Sequence, residues 1–364
     1  MTTESSVNRP PLPLTIEHVT TAWLDAAINS WTPGAGITAS QIVEVIHGTC
    51  TKLHIRLERN AAARAAGIPE CVVLKGGFEP HSRAMHAMHG LEVHAYADVA
   101  PVSPLRMPRC YFAGYDAEAH QGIVIMEDLR ARGVTFLHPQ RPQQPNSVVH
   151  RLSKLAKHHA MSWGGKDIEP GGRFAFAPDY IDGFETYGAS ILTPEVWRSY
   201  VESSRGAAAS VRFHSLDWMR GVLAKLSRHS KIVPRTLLHG DTHLGNLYID
   251  IDGEPGFFDS LPHVGPPMIE IAYHICCALD LADRRTHERG LVAHYRDALI
   301  GEGIDPPPLD ALMHQYGCYL ATGYLIFLVN AADFQIEAVN TAYTARFSAA
   351  MLDHDTIGLI SALP

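Results

Sequence analysis

Apolar and polar residues alternate along Lys52–Arg59. Leu53, Ile55 and Leu57 fall on one side, and Lys52, His54, Arg56 and Glu58 on the other. Period two marks a half-buried antiparallel strand. Ile42–Ile46 is its expected partner, joined through His47-Gly48-Thr49-Cys50-Thr51. This small polar join reads as a hairpin turn, or as a loop whose backbone N–H groups could lie over phosphates. Cys71–Lys75 (CVVLK) is a further strand, ending in a lysine before Gly76-Gly77. The period then lengthens. Met85, Met88, Leu91 and Ala95 recur on one side of a helix expected over Ser82–Val99, with Glu92 beside that apolar side. Arg109–Tyr115 and Gly122–Met126 read as two more strands about a polar turn. A helix is expected over Thr15–Asn29, after a proline-rich arm and before the breakers Pro33, Gly34 and Gly36.

Beyond Arg132-Gly133 the pattern is almost wholly helical. Helices are expected over Ser147–Trp163 and near 194–206, 214–229, 267–282, 285–301, 308–332 and 340–361. Strands first and helices after make an α+β chain in two lobes, and a cleft between lobes is a common place for a ligand. The longest apolar run, Tyr316–Val329, is short of the roughly 20 residues of a membrane span. It predicts a buried helix.

One hairpin interrupts the helical part, in LLHGDTHLGNLYIDIDGEPGFFDS, Leu237–Ser260. Asp252-Gly253 is the strongest two-residue turn signal in the chain, because a type I′ turn needs positive φ at both central residues. With that turn Ile251 faces Glu254, and Asn246 faces Asp259. Opposed side chains sit roughly 4.5–5.5 Å apart at Cβ. An amide oxygen and a carboxylate so placed suit a hard cation such as Mg²⁺. Asp241, on the preceding loop, could address something bound beside that cation.

Composition works by exclusion. The 364 residues are 46% hydrophobic and 19% charged, with a net charge of −8 and no basic run. Nucleic acid and anionic membrane are therefore not expected partners. The six cysteines (50, 71, 110, 276, 277 and 318) form no C-x-x-C. Together with a polar, proline-rich N-terminus that carries no signal peptide, they suggest free thiols and a cytoplasmic setting.

HGDTHLGN resembles H-G-D-x-H-x-x-N, the catalytic-loop signature of the aminoglycoside phosphotransferase and choline kinase superfamily. VVLK resembles the strand bearing that superfamily's ATP-binding lysine, and LEVHAYADVAP the helix whose glutamate pairs with it. IVIMEDL resembles the strand and hinge that hold adenine, and LAKHHAMSW the "LHA…W" helix. FFDS followed by HVGPPMIEIAYHI resembles the metal-binding aspartate and "GPP…D-AY" helix of the ecdysteroid kinase-like branch. The resemblance runs over roughly residues 40–355, in order. It implies a protein-kinase-like two-lobed fold: a β-rich nucleotide-binding lobe over 1–126, a hinge over 127–133, and a helical lobe over 134–364. It also implies ATP- and Mg²⁺-dependent phosphoryl transfer to the hydroxyl of a small molecule. Asp241 would be the catalytic base, with Asn246 and Asp259 as metal ligands. Lys75 would meet the α/β-phosphates and Glu92 would fix Lys75. Gly48, Thr49 and Thr51 would form the phosphate loop, and Met126, Glu127, Asp128 and Leu129 the hinge. His239 and His243 would brace the loop. The chain departs from the pattern in three places: Ser260 follows the metal aspartate where Trp or Phe is usual, Glu270 replaces an aspartate, and the phosphate loop has a single glycine.

Phosphoryl transfer needs in-line positioning and cancellation of negative charge rather than covalent work by the protein, and these residue types supply both. The acceptor is less constrained. A polycationic aminoglycoside would need clustered acids, whereas the helices after Asp259 carry Tyr273, Tyr316, Tyr319, Tyr324, Phe327 and Phe334. Core packing is the ordinary role of such aromatics. If some line the site, the acceptor is a largely apolar alcohol of sterol, terpenoid or aromatic type. Other readings are a kinase with a choline- or aminoglycoside-like polar acceptor, a nucleotide-binding pseudokinase, and a zinc hydrolase built on His239, Asp241, His243, Asp259 and His263.

Overall fold

The strands announced by period two form one antiparallel sheet. β1 (Ile37–Ile46), β2 (Thr51–Arg59), β3 (Cys71–Gly76), β4 (Cys110–Asp116) and β5 (Gln121–Glu127) stand in the order β1-β2-β3-β5-β4. In this computed structural model, residues 10–48, 50–331 and 334–364 are described, without the side chains of residues 84 and 185–190. Thr49 therefore lies outside the described residues. Two compact units result, one of residues up to 102 with 107–134, the other of 103–106 with 135–364.

In the first unit the alternation on β2 decides the layers. Leu53, Ile55 and Leu57 pack with Trp23, Leu24, Ala27 and Ile28 of the Thr21–Trp31 helix. The other face of the sheet packs Val73, Val124 and Met126 against Val93 and Tyr96. Two helices differ from expectation. The first starts at Thr21 because the Thr20 hydroxyl accepts the Trp23 N–H and caps it there; Ile16–His18 is a separate 3-10 turn. The expected helix over Ser82–Val99 comes in three pieces, Pro80–Ala84, His86–His94 and a π turn at Ala95–Val99.

In the second unit the Pro267–Ala278 helix is buried at every residue. The Leu309–Val329 helix contains the long apolar run, buried from Tyr316 to Val329 except at Ile326. No described helix is long and apolar enough to cross a membrane. The Tyr180–Ile191 helix and three short strands, β6 (Thr135–Phe136), β7 (Thr236–Leu238) and β10 (His263–Gly265), were not foreseen. Two or three residues are too few to show a period.

The hairpin between β8 (Leu247–Ile249) and β9 (Pro255–Phe257) exists, but one residue out of the expected register. Tyr248 faces Gly256, and Ile249 faces Pro255. Only Gly253 of the Asp252-Gly253 pair has positive φ (84°). Gly253 N–H donates to Asp250 O (2.9 Å) and Asp250 N–H to Glu254 O (2.8 Å), closing a three-residue loop. Tyr248 sets this register. A Cβ on Gly256 would lie 2.0 Å from the Tyr248 ring, so only glycine fits opposite it. Asn246 therefore stands opposite Phe258, whose N–H donates to its carbonyl (3.0 Å). Asp259 is the next residue and turns the chain in the left-handed region (φ 53°).

Candidate active site

Beyond β7 the chain enters His239-Gly240-Asp241-Thr242-His243. Gly240 is obligatory here: its φ is +91°, and a Cβ would lie 1.9 Å from Leu261 O. One face of the Pro267–Ala278 helix then takes hold of four successive residues. Glu270 Oε2 accepts the His239 N–H (3.1 Å) and Oε1 the Gly240 N–H (2.8 Å). Tyr273 Oη donates to Asp241 Oδ1 (2.9 Å), and His274 Nδ1 bonds Thr242 O (2.9 Å). Positions i, i+3 and i+4 share a helix face, so one rigid element sets the whole loop. Ser260, a departure from the family pattern, adds a hydrogen bond from Oγ to His239 O (2.9 Å).

The Asp241 carboxylate is held at both oxygens. Tyr273 takes Oδ1, while Oδ2 accepts from Asn246 Nδ2 (2.8 Å) and lies 3.6 Å from His243 Nε2. Asn246 Nδ2 also reaches the Asp241 carbonyl (3.1 Å). With its amide nitrogen committed to Asp241, Asn246 presents its oxygen as the group that can meet a cation. Such an oxygen, with the carboxylate of Asp259, is a hard-donor set that fits Mg²⁺. His239 is buried, and burial lowers its pKa against the raising effect of Glu270, Asp241 and Asp259. Its Nδ1 accepts the Asp241 N–H (3.3 Å), so it braces the loop, as does His243, whose Nδ1 accepts the Gly245 N–H (2.9 Å). Among the described residues no three His, Cys, Asp or Glu side chains are grouped to hold a metal ion. The set proposed for zinc is not assembled; His263 instead bonds Leu261 O (2.7 Å).

Glu270, which stands where the resembled pattern has an aspartate, holds the loop by both carboxylate oxygens. It also pairs with His159 Nε2 (2.9 Å). Burial opposes its ionisation, but the His159 hydrogen bond and charge outweigh burial and bring its pKa down to about 2. A lowered carboxylate pKa contributes stability that is present above about pH 4.5 and lost as pH falls towards 2. Glu270→Gln is therefore expected to lower the thermal midpoint at neutral pH and to flatten the acid limb below about pH 4.5. Equal acid limbs in circular dichroism titrations would show that Glu270 is not the group concerned.

In the first unit Lys75 Nζ and Glu92 Oε1 form a buried pair at 2.7 Å. Both residues looked unremarkable from periodicity alone. Gly48 O bonds His81 Nε2 (2.9 Å), and the buried Thr51 donates to Glu79 (3.3 Å), so the join is tied to the Pro80–Ala84 segment. Met126 and Glu127 end β5. The Glu127 carboxylate accepts from Arg109 N (2.8 Å) and Arg132 Nη1 (2.9 Å). That of Asp128 caps the Leu129–Arg132 helix and bonds His54 Nδ1 (2.7 Å). Both acids are thus committed to structure. Leu129 is buried.

Sequence reasoning assigned no role to Arg151, His159 and His274, and counted Tyr273 only as an aromatic. The i, i+3, i+4 spacing of 270, 273 and 274 was the signal available. Tyr273 stacks on Phe327 (5.5 Å, 9°), which meets Tyr343 (4.4 Å) and Phe347 (5.9 Å). Tyr316, Tyr319 and Tyr324 lie in the core against Glu288, His229 and Phe213, and Phe334 is half-buried.

Residues 92–302, more than half the chain, match the model of the ecdysteroid kinase-like family, and the chain belongs to that family. A search of the curated proteins finds no significant match. Three solved structures share the fold. A protein from Ralstonia eutropha JMP134, provisionally described as an aminoglycoside phosphotransferase, is 13% identical with a TM-score of 0.52, covering 94% of this chain and 98% of its own. A choline kinase from Cryptosporidium parvum Iowa II is 12% identical (TM-score 0.50; 89% and 93%). A protein from Haemophilus somnus 129PT, provisionally described as a fructosamine-3-kinase, is also 12% identical (TM-score 0.50; 90% and 96%). The fold is thus the protein-kinase-like α+β fold of the small-molecule kinase superfamily, with an antiparallel β lobe and a helical lobe.

Proposed function

We propose that the protein is an ATP- and Mg²⁺-dependent kinase that phosphorylates the hydroxyl of a small, largely apolar alcohol. The observation that carries this reading is the Asp241–Asn246 pair on a loop clasped by the Pro267–Ala278 helix. In this reading the acceptor hydroxyl lies beside Asp241, which orients it and takes its proton as the bond to the γ-phosphorus forms. The bond from that phosphorus to the β–γ bridging oxygen breaks, and ADP leaves. Asn246 and Asp259 would hold Mg²⁺, which supplies charge cancellation on the phosphates. Lys75, oriented by Glu92, contributes a further positive charge. Gly48, Thr49 and Thr51 would approach the phosphates, and the backbone of Met126–Leu129 the adenine.

Tyr273, Phe327, Tyr343 and Phe347 pack as a buried cluster behind Asp241, so the apolar acceptor class is proposed on the other ground, that an aminoglycoside would call for clustered acids. All six cysteines are free thiols, which supports a reducing, cytoplasmic setting. A panel of sterols, terpenoid and aromatic alcohols, choline and aminoglycosides, assayed for ADP release with magnesium and ATP, tests the proposal. Turnover on the apolar alcohols is expected. Activity confined to choline or aminoglycosides would refute the acceptor class, and ATP binding without turnover on any compound would favour a pseudokinase.

A further inference from the structure

The Pro267–Ala278 helix holds the catalytic loop on both sides of Asp241, through Glu270 before it and His274 after it. The second hold leads back to an arginine. Arg151, on the Pro145–Ala160 helix, is 1% exposed. Its Nε donates to His274 Nε2 (3.1 Å), and among the described residues no protein atom accepts from Nη1 or Nη2. A buried cation without a paired anion is destabilising, so packing alone does not explain an arginine at this place.

The hydrogen-bond inventory shows what it can do. A guanidinium only donates, so His274 Nε2 is the unprotonated, accepting nitrogen. A carbonyl only accepts, so His274 Nδ1 carries the proton that reaches Thr242 O. The two contacts together permit one tautomer. They also disfavour the imidazolium, which would turn an N–H towards the guanidinium. In agreement, burial and then Arg151 lower the His274 pKa to about 3. Without the arginine, the other tautomer becomes accessible. It would set the Nδ1 lone pair against the Thr242 carbonyl and release the backbone beside Asp241.

We propose that Arg151 and His274 are positioning residues for phosphoryl transfer. The buried guanidinium fixes His274 as the Nδ1–H tautomer, and that proton holds the Thr242 carbonyl and so the aim of Asp241. The catalytic half of this inference rests on the kinase reading; the tautomer half does not.

Side-chain ¹⁵N spectra of the full-length protein test the tautomer directly. An imidazole protonated at Nδ1 is expected in the wild type, absent from His274→Asn and converted at least in part to the Nε2–H form in Arg151→Met. A wild-type His274 protonated at Nε2 would overturn the proposal. ADP release from ATP and magnesium, with water as acceptor, tests the catalytic half. Arg151→Met and His274→Phe are expected to lose on the order of tenfold to a hundredfold in kcat, with KM for ATP unchanged. His274→Asn should retain most of the rate, because its amide nitrogen stands where Nδ1 stood. The thermal midpoint of Arg151→Met should be equal to or above that of the wild type, whereas a purely structural arginine would lower it. Wild-type turnover in Arg151→Met, or equal losses in His274→Asn and His274→Phe, would overturn the positioning role. If Arg151→Met does not fold, the two His274 variants decide the matter. Absence of wild-type turnover on water and on every alcohol of the acceptor panel would refute the kinase reading, and the spectra would still decide whether Arg151 sets the tautomer.

Discussion

Asp241→Asn is expected to lower phosphoryl transfer by about 10²–10⁴-fold, the usual scale for loss of a general base, while nucleotide affinity stays as in the wild type. The surroundings of Asp241 make this a clean substitution. Its Oδ2 accepts from Asn246 and its Oδ1 from Tyr273. A hydroxyl can donate or accept, so the new amide can turn its oxygen to Asn246 and its NH₂ to the Tyr273 oxygen. The loop itself is held by Glu270 and His274 through backbone atoms, which the substitution leaves alone. What disappears is the negative charge and the ability to accept a proton. Titration with a fluorescent ADP analogue, alongside single-turnover kinetics, checks both halves. Equal loss of binding and turnover would mean that Asp241 acts as a structural residue.

Lys75→Ala should act on stability and nucleotide use together. Lys75 is 9% exposed and Glu92 4%, with 2.7 Å between their charged groups. Removing one member of a buried ion pair takes a close counter-charge from the other, at a cost of about 3–5 kcal/mol. The thermal midpoint should therefore drop markedly, and kcat/KM for ATP should fall through loss of a phosphate contact. A second variant separates the two effects. Lys75→Met combined with Glu92→Leu removes both charges at once, and replacing a buried pair by apolar residues is often neutral or stabilising. The double variant should thus recover stability while remaining poor with ATP. Recovery of both would remove Lys75 from the nucleotide site, and unchanged turnover in Lys75→Ala alone would do so as well.

The candidate site was legible to different depths. Asp241 and Asn246 could be read as site residues from HGDTHLGN through the resemblance that the motif carries, but the hydrogen bond between their side chains was set by the folded loop. The hairpin was legible as a hairpin but not in its register. Asp252-Gly253 signals a type I′ turn through local backbone preference. The register was decided by packing of the Tyr248 ring over Gly256, a contact between strands that no turn propensity reports. As a result Asn246 and Asp259 are not directly opposed, and Asp259 turns the chain in the left-handed region instead. The helix expected over Ser82–Val99 failed in a similar way. Its apolar spacing is real, yet the chain breaks at Met85 and widens into a π turn, which a period of 3.6 cannot register.

By itself the sequence determined the order of the five strands of the large sheet and of most of the longer helices, because period two and period 3.6 are local properties of the chain. It also determined the family, because a short motif carries its own spacing. The tertiary structure alone decided what surrounds Asp241. Glu270 and His274 lie about thirty residues beyond the loop they hold, and Arg151 lies more than a hundred residues from its contact with His274. Such pairs leave no periodic trace. They exist because buried donors and acceptors must be satisfied wherever folding brings them together, and that condition is set by the packed core.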